Sequence, residues 1–266
     1  MVRFNVKDIF SHNYIGLYWL VACVIIFSVQ TSIGQTRQYQ FGRIDMINGL
    51  SHPTVNDILQ DSTGFMWFVT SSGLNRYDGY SLKIFKNIPG DSNSLLTDNL
   101  TKIFEGPEGK LWMLGTNGNV IYNPKTENFE RNTSHLLKKY DVHWGVVTLI
   151  KKDQLGRFWF IHYNQGLFCF DPSRHKTVRL TPIENDTTTI SSTRMASLAE
   201  DSRGNMWVIH QNGTFERIDR ETFRVTFRSY SLRDKYQAQL YEYDFMIDDE
   251  DDLWIHNDRN FGCYLF

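Results

Sequence analysis

Tryptophan recurs in this chain with a period that few folds can use. Trp67, Trp112, Trp159, Trp207 and Trp254 are spaced 45, 47, 48 and 47 residues apart, and they take five of the seven tryptophans. A fixed period of this length means that one supersecondary unit is copied along the chain. The flanks keep step. Nine residues before each Trp stand Ile58, Ile103, Ile150, Leu198 and Phe245, all apolar. Six before stand Asp61, Gly106, Asp153, Asp201 and Asp248, and three before stand Gly64, Gly109, Gly156, Gly204 and Asp251. The unit therefore carries Asp-x-x-Gly-x-x-Trp, complete in three copies and altered in two. Asp can hydrogen-bond backbone two residues on and Gly accepts a positive φ, so the motif predicts a tight hairpin turn whose second strand bears a packed Trp.

Each unit continues alike. Gly73–Asp78 matches Gly166–Asp171, with looser versions at Gly118–Asn123 and Gly213–Asp219, and each predicts a third strand. Tyr80–Phe85 and Thr222–Phe227 predict a fourth. Four short strands per unit, rich in Gly and aromatics, describe an all-β fold, a β-propeller of four-stranded blades. No stretch beyond the leader holds a 3.6-residue apolar period for 12 residues, which excludes a helical solenoid.

The first 34 residues read as a leader. Arg3 and Lys7 precede an apolar run of 16 residues, Tyr14–Val29, and small residues Ser32 and Gly34 follow at peptidase positions. Residues 1–34 are thus a signal peptide, or an uncleaved anchor, and 35–266 the propeller. The run is shorter than the roughly 20 residues a spanning helix needs. Leu20-Val21-Ala22-Cys23 resembles a lipoprotein box, but Val24–Phe27 stays apolar where a lipoprotein turns polar. Cys169 and Cys263 fall in non-adjacent units and read as small buried hydrophobes, not a disulfide. A formal net charge of -2 argues against a nucleic-acid partner.

The run Gly49-Leu50-Ser51, Val55, Asp57-Ile58, Gln60-Asp61, Gly64-Phe65-Met66-Trp67-Phe68, Thr70, Gly73-Leu74-Asn75-Arg76-Tyr77-Asp78-Gly79 closely resembles the two-component regulator propeller repeat. That resemblance implies a seven-bladed propeller in the periplasmic sensor region of a hybrid histidine kinase. Such a sensor detects a glycan fragment and regulates genes for polysaccharide use. Members also carry a second propeller, a β-sandwich, a membrane helix, a kinase, receivers and a DNA-binding module. None of these follows Phe266, so the chain is expected to be the amino-terminal fragment of such a sensor, without a kinase. Its expected partners are an oligosaccharide, the remainder of the kinase or a second propeller, and a second copy of itself. Tyr39–Ile44 alternates as an outer strand would, and an open arc of blades is expected to self-associate.

Candidate ligand residues lie where the second strand turns into the third: His162, Tyr163 and Asn164; His210, Gln211 and Asn212; His256 and Asn257. Loops on a rigid scaffold often carry function, and amides, imidazoles and an aromatic suit sugar hydroxyls, although turns favour polar residues anyway. They read as solvent-facing rim loops. Asp61, Gly64, Gly156, Gly204 and the five tryptophans read as structural. No catalytic, cofactor or metal site is expected: nucleophile elbow, phosphate loop and zinc spacing are all missing. Asp248–Asp252 lacks the glycine and terminal glutamate of a calcium loop. A protein-interaction platform and a glycan-active enzyme remain the alternative readings.

Overall fold

A computed structural model describes residues 19–20, 41–236, 240, 242–257 and 263–265. It divides into two units, Met1–Arg43 and Ile44–Phe266. In the first, Trp19 and Leu20 are helical, and the rest of the leader lies outside the described residues. No described helix is long and apolar enough to cross a membrane.

The second unit is an all-β propeller of successive antiparallel sheets. Blade 1 comprises β1 (Val55–Gln60), β2 (Met66–Thr70), β3 (Gly73–Tyr77) and β4 (Leu82–Phe85). Blade 2 comprises β5 (Leu100–Glu105), β6 (Leu111–Gly115), β7 (Gly118–Asn123) and β8 (Asn128–Glu130). A longer connection with α1 (Ser134–Lys139) leads to blade 3: β9 (Val147–Lys152), β10 (Phe158–His162), β11 (Gly166–Asp171) and β12 (Lys176–Leu180). Blade 4 holds β13 (Met195–Glu200), β14 (Met206–His210), β15 (Phe215–Ile218) and β16 (Val225–Ser229). After α2 (Ser231–Lys235), blade 5 shows β17 (Tyr243–Ile247), β18 (Leu253–Asn257) and β19 (Cys263–Leu265). First strands of successive blades lie side by side, so they line the centre. Helices are few, as the sequence implies.

Every ladder Trp is the second residue of its second strand. The motif's aspartate does more than turn the chain. Oδ1 of Asp153 accepts the N–H groups of Leu155 and Arg157, while Oδ2 accepts Nε1 of Trp159 at 2.9 Å. The same indole-to-carboxylate bond joins Trp67 to Asp61 (2.7 Å), Trp207 to Asp201 (2.9 Å) and Trp254 to Asp248 (2.8 Å). In blade 2 Gly106 replaces the aspartate. The Trp112 ring fills its place, where an added Cβ would lie 2.5 Å from the indole, and Nε1 stays buried without a partner.

Blades pack by one rule: the Trp of one blade meets the apolar residue nine before the next Trp. Trp67 clusters with Ile103, Trp112 with Ile150, Trp159 with Leu198 and Trp207 with Phe245. The two ends of the series are left over. Ile58 is 53% exposed because no described sheet precedes it, and Trp254 is 38% exposed because none follows. The expectation that all five tryptophans are core thus fails at Trp254, and Trp207 is half-buried.

Two strand expectations shift. Phe41–Ile44 forms no strand, and Tyr39 and Gln40 lie outside the described residues. The fourth strand of blade 4 begins at Val225, because Phe223 takes φ +56° in the turn and packs its ring 5.7 Å from Trp159 of blade 3. Cys169 is a buried free thiol whose pKa burial pushes up to about 12. The side chain of Cys263 lies outside the described residues.

Candidate functional site

At the rim where second strands end, blades 2 to 5 surround a cavity of about 550 Å³. Its walls come from an irregularity repeated in the first strands. The register of β1, β5, β9 and β13 slips by one residue near its start. A β-bulge re-aims the extra residue, and here that residue is Asn56, Thr101, Thr148 or Ala196. The last three line the cavity. The hydroxyls of Thr101 and Thr148 donate to the carbonyls of Leu114 and Ile161, which pins both bulges to the second strands.

In blades 2, 3 and 4 the residue after the second strand is held by a backbone bond. The N–H of Thr116 donates to Asn99, that of Tyr163 to Val146 (2.9 Å) and that of Gln211 to Arg194 (3.0 Å). These bonds hold Tyr163 and Gln211 at the cavity. Asn164 turns the chain beyond Tyr163 with φ +57°.

Of the candidates read from sequence, His162, Tyr163, Asn164, Gln211 and His256 line the cavity. His210, Asn212 and Asn257 do not. The solvent-facing loop assignment is corrected for four candidates: His162 and His210 end their strands and are 2% and 0% exposed, and His256 and Asn257 lie within β18, His256 exposed and Asn257 buried. Three residues after the Trp of blades 1, 3, 4 and 5 the side chain points inward, so that Thr70, His162, His210 and Asn257 are buried; blade 2 has Gly115 there.

His210 is committed to blade 4. Its Nε2 lies 2.8 Å from Oε2 of Glu216, whose Oε1 accepts from Nε of Arg228 at 2.5 Å and from the N–H of Ser191. Burial pushes the Glu216 carboxyl up. The hydrogen bond and charge of His210, the charge of Arg228 and Ser191 outweigh burial, and the group sits below its ordinary value. Asn212 accepts the N–H of Thr214 and closes the turn.

His162 is held differently. Its Nδ1 faces the Tyr163 carbonyl at 3.1 Å and therefore carries the proton. Nε2 is buried without a hydrogen-bond partner. Burial, aided by the charge of His143, lowers the pKa of His162 and keeps the ring neutral.

Sequence reasoning missed the wall residues from first strands and the residues just before them: Lys102, Thr148, Arg194, Ser197, Glu242 and Asp244. Ser197 donates to Asp244 across blades 4 and 5 at 2.8 Å. Their signal is positional. Most sit ten or eleven residues before a ladder Trp, where the bulge falls. Two cations and two carboxylates balance in this wall, beside hydroxyls, the amides of Asn164 and Gln211, His256, Tyr163 and several aliphatic side chains. Among the described residues no group of His, Cys, Asp and Glu could hold a metal ion.

Residues 49–72 match the two component regulator propeller family. Over 77 residues the chain is 42% identical to histidine kinase P4 of Formosa agariphila, a stretch that is 28% of this chain and 6% of that one. The extracellular domain described for a hybrid two component system of Bacteroides thetaiotaomicron shares 18% identity, with a TM-score of 0.50 over 85% of this chain and 35% of that one. PorZ, a surface component of the type-IX secretion system of Porphyromonas gingivalis, shares 14% identity, with a TM-score of 0.58 over 85% of this chain and 34% of its own. The chain thus spans only a small part of the kinase and about a third of each structure. It shares homologous sequence with a histidine kinase, and the propeller fold with an extracellular two-component sensor domain.

Proposed function

We propose that this chain is the exported, amino-terminal sensing module of a hybrid two-component system and that it binds a glycan-derived oligosaccharide in the rim cavity. One observation carries the reading. Four blades contribute to a single concave site that mixes hydroxyls, two amides, balanced charges and an exposed aromatic. Binding sites are concave, with a few placed polar groups that fix orientation. Because its walls belong to different blades, ligand there changes how blades sit together, which is what a sensor must transmit. The remainder of a sensor kinase, or a second propeller, receives that change, and genes for polysaccharide use are the output. The leader pattern of residues 1–34 supports a periplasmic location.

The test is calorimetry of the full chain against neutral and acidic oligosaccharides from plant and algal walls, with chromatography of the sugar afterwards. Saturable binding with the sugar recovered intact is expected. A chain that binds none of them refutes the sensor reading, and shortened sugar products would make it an enzyme.

A further inference from the structure

The connection from β8 to β9 ends in His143-Trp144-Gly145-Val146, and it carries the most exposed tryptophan of the propeller unit. Trp144 is 73% exposed, and Tyr163, whose backbone pairs with this segment, is 59% exposed. The two are tied together. Val146 accepts the Tyr163 N–H at 2.9 Å. His143 lies 5.8 Å from the Trp144 ring and stands at 90° to His162, 6.3 Å away. Gly145, at φ +136°, lies flat on the His162 imidazole, where a Cβ would come within 2.6 Å of Cε1. Only glycine lets the segment lie so close. His162, 2% exposed, also holds the Tyr163 carbonyl through Nδ1. A buried histidine thus fixes the backbone that carries two largely exposed aromatic side chains. Tyr163 and His162 line the cavity, and the segment that carries Trp144 meets that lining through Gly145, which lies on His162.

Packing does not account for this arrangement. Among the described residues, the ring contact of Trp144 is to the exposed His143. Large aromatics left in water beside a concave site mark ligand surface. A pyranose ring has an apolar C–H face and a rim of hydroxyls. The apolar face matches an aromatic shelf, and the hydroxyl rim matches the adjoining wall of Thr148, Ser197, Gln211 and His256. The wall charges of Lys102 and Arg194 are offset by Glu242 and Asp244, so the site has no excess of either sign.

We infer that Trp144 and Tyr163 form the stacking subsite for a neutral pyranose ring, with His162 as the positioning residue beneath them. This rests on the reading of the cavity as an oligosaccharide site. The experiment is calorimetry of the full chain with cello-, laminari-, manno-, xylo- and maltohexaose, and with oligogalacturonate and oligoalginate for comparison. Wild type is expected to bind a neutral hexaose. Trp144→Ala and Tyr163→Ala should each weaken that binding at least tenfold without moving the thermal midpoint, and Trp144→Phe should restore most of it. Binding that quenches tryptophan fluorescence in wild type but not in Trp144→Phe places the sugar on that ring. Unchanged affinity in both alanine variants overturns the shelf while leaving the glycan reading intact. Binding of the acidic sugars alone overturns the neutral ring, and binding of no sugar overturns both readings.

Discussion

Replacing Asp153 tests what the aspartate of the repeat is for. If it only shapes a turn, then Asp153→Asn should be almost harmless, because an amide oxygen still accepts the N–H groups of Leu155 and Arg157. The structure gives the second oxygen a heavier duty: it accepts Nε1 of Trp159 at 2.9 Å and Nε of Arg157 at 2.6 Å. An amide NH₂ placed there faces two donors. Arg157 is 8% exposed, so losing its carboxylate leaves a buried charge without its counterion. Breaking one side of such a pair costs about 3–5 kcal/mol. For a unit of this size that is a fall in midpoint on the order of 10 °C. Calorimetric or fluorescence melting of the full chain reads it, and Asp153→Asn is expected to fall nearly as far as Asp153→Ala. An asparagine variant that melts within about 2 °C of wild type, less than 1 kcal/mol by the same conversion, would refute the reasoning and reduce the aspartate to a turn former.

Position within the series should decide cost where sequence position does not. Ile103→Ala is expected to lose about 2–5 kcal/mol in urea unfolding, and Ile58→Ala, at the same repeat position, no more than about 0.5 kcal/mol. Equal losses would mean that something covers Ile58. If the chain self-associates through its exposed end faces, then Ile58→Lys and Trp254→Lys should lower the sedimentation-derived mass; an unchanged mass rules those faces out. The Glu216 carboxyl titrates below its ordinary 4.5 in the folded chain. Its contribution is therefore full above that value and is lost as pH falls through the lower folded value. Glu216→Gln should be less stable at pH 7 and show a shallower acid decline below about pH 4.5; parallel curves would count against the His210–Glu216–Arg228 cluster.

The blades were legible because their packing is periodic. A Trp and an apolar residue nine before it are two halves of one contact between neighbouring blades, and a contact repeated four times leaves a regular trace. What the period hides is where the series stops. Trp254 and Ile58 obey the pattern as letters, yet their exposure depends on a neighbour that no spacing reveals. Likewise Asp61 and Asp153 announced a turn through their distance to glycine. The bond to the indole Nε1 was not legible, because it joins a side chain six residues on only after the hairpin has folded back.

The rim was read less well, for a reason that separates its two halves. His162 and His210 occupy one repeat position and look alike as sequence, polar residues beside a turn. Three places after an inward-facing Trp, with a bulge in the neighbouring strand, both point into the sheet. Their chemistry then depends on a partner one strand over. In blade 4 that partner is Glu216, which absorbs the histidine into an ion-paired cluster. In blade 3 the equivalent residue across the strand pair is Phe168, its ring centre 5.9 Å from His162, and it offers no acceptor. His162 is left to hold the Tyr163 carbonyl and the underside of Gly145. One substitution in a third strand thus settles whether a rim histidine stabilises its own blade or fixes the shelf beside the cavity. A Phe168→Glu exchange should draw His162 into a cluster like that of blade 4, detected as a raised imidazole pKa by NMR. If the pKa of His162 stays low in that variant, strand register alone does not set the role of these histidines.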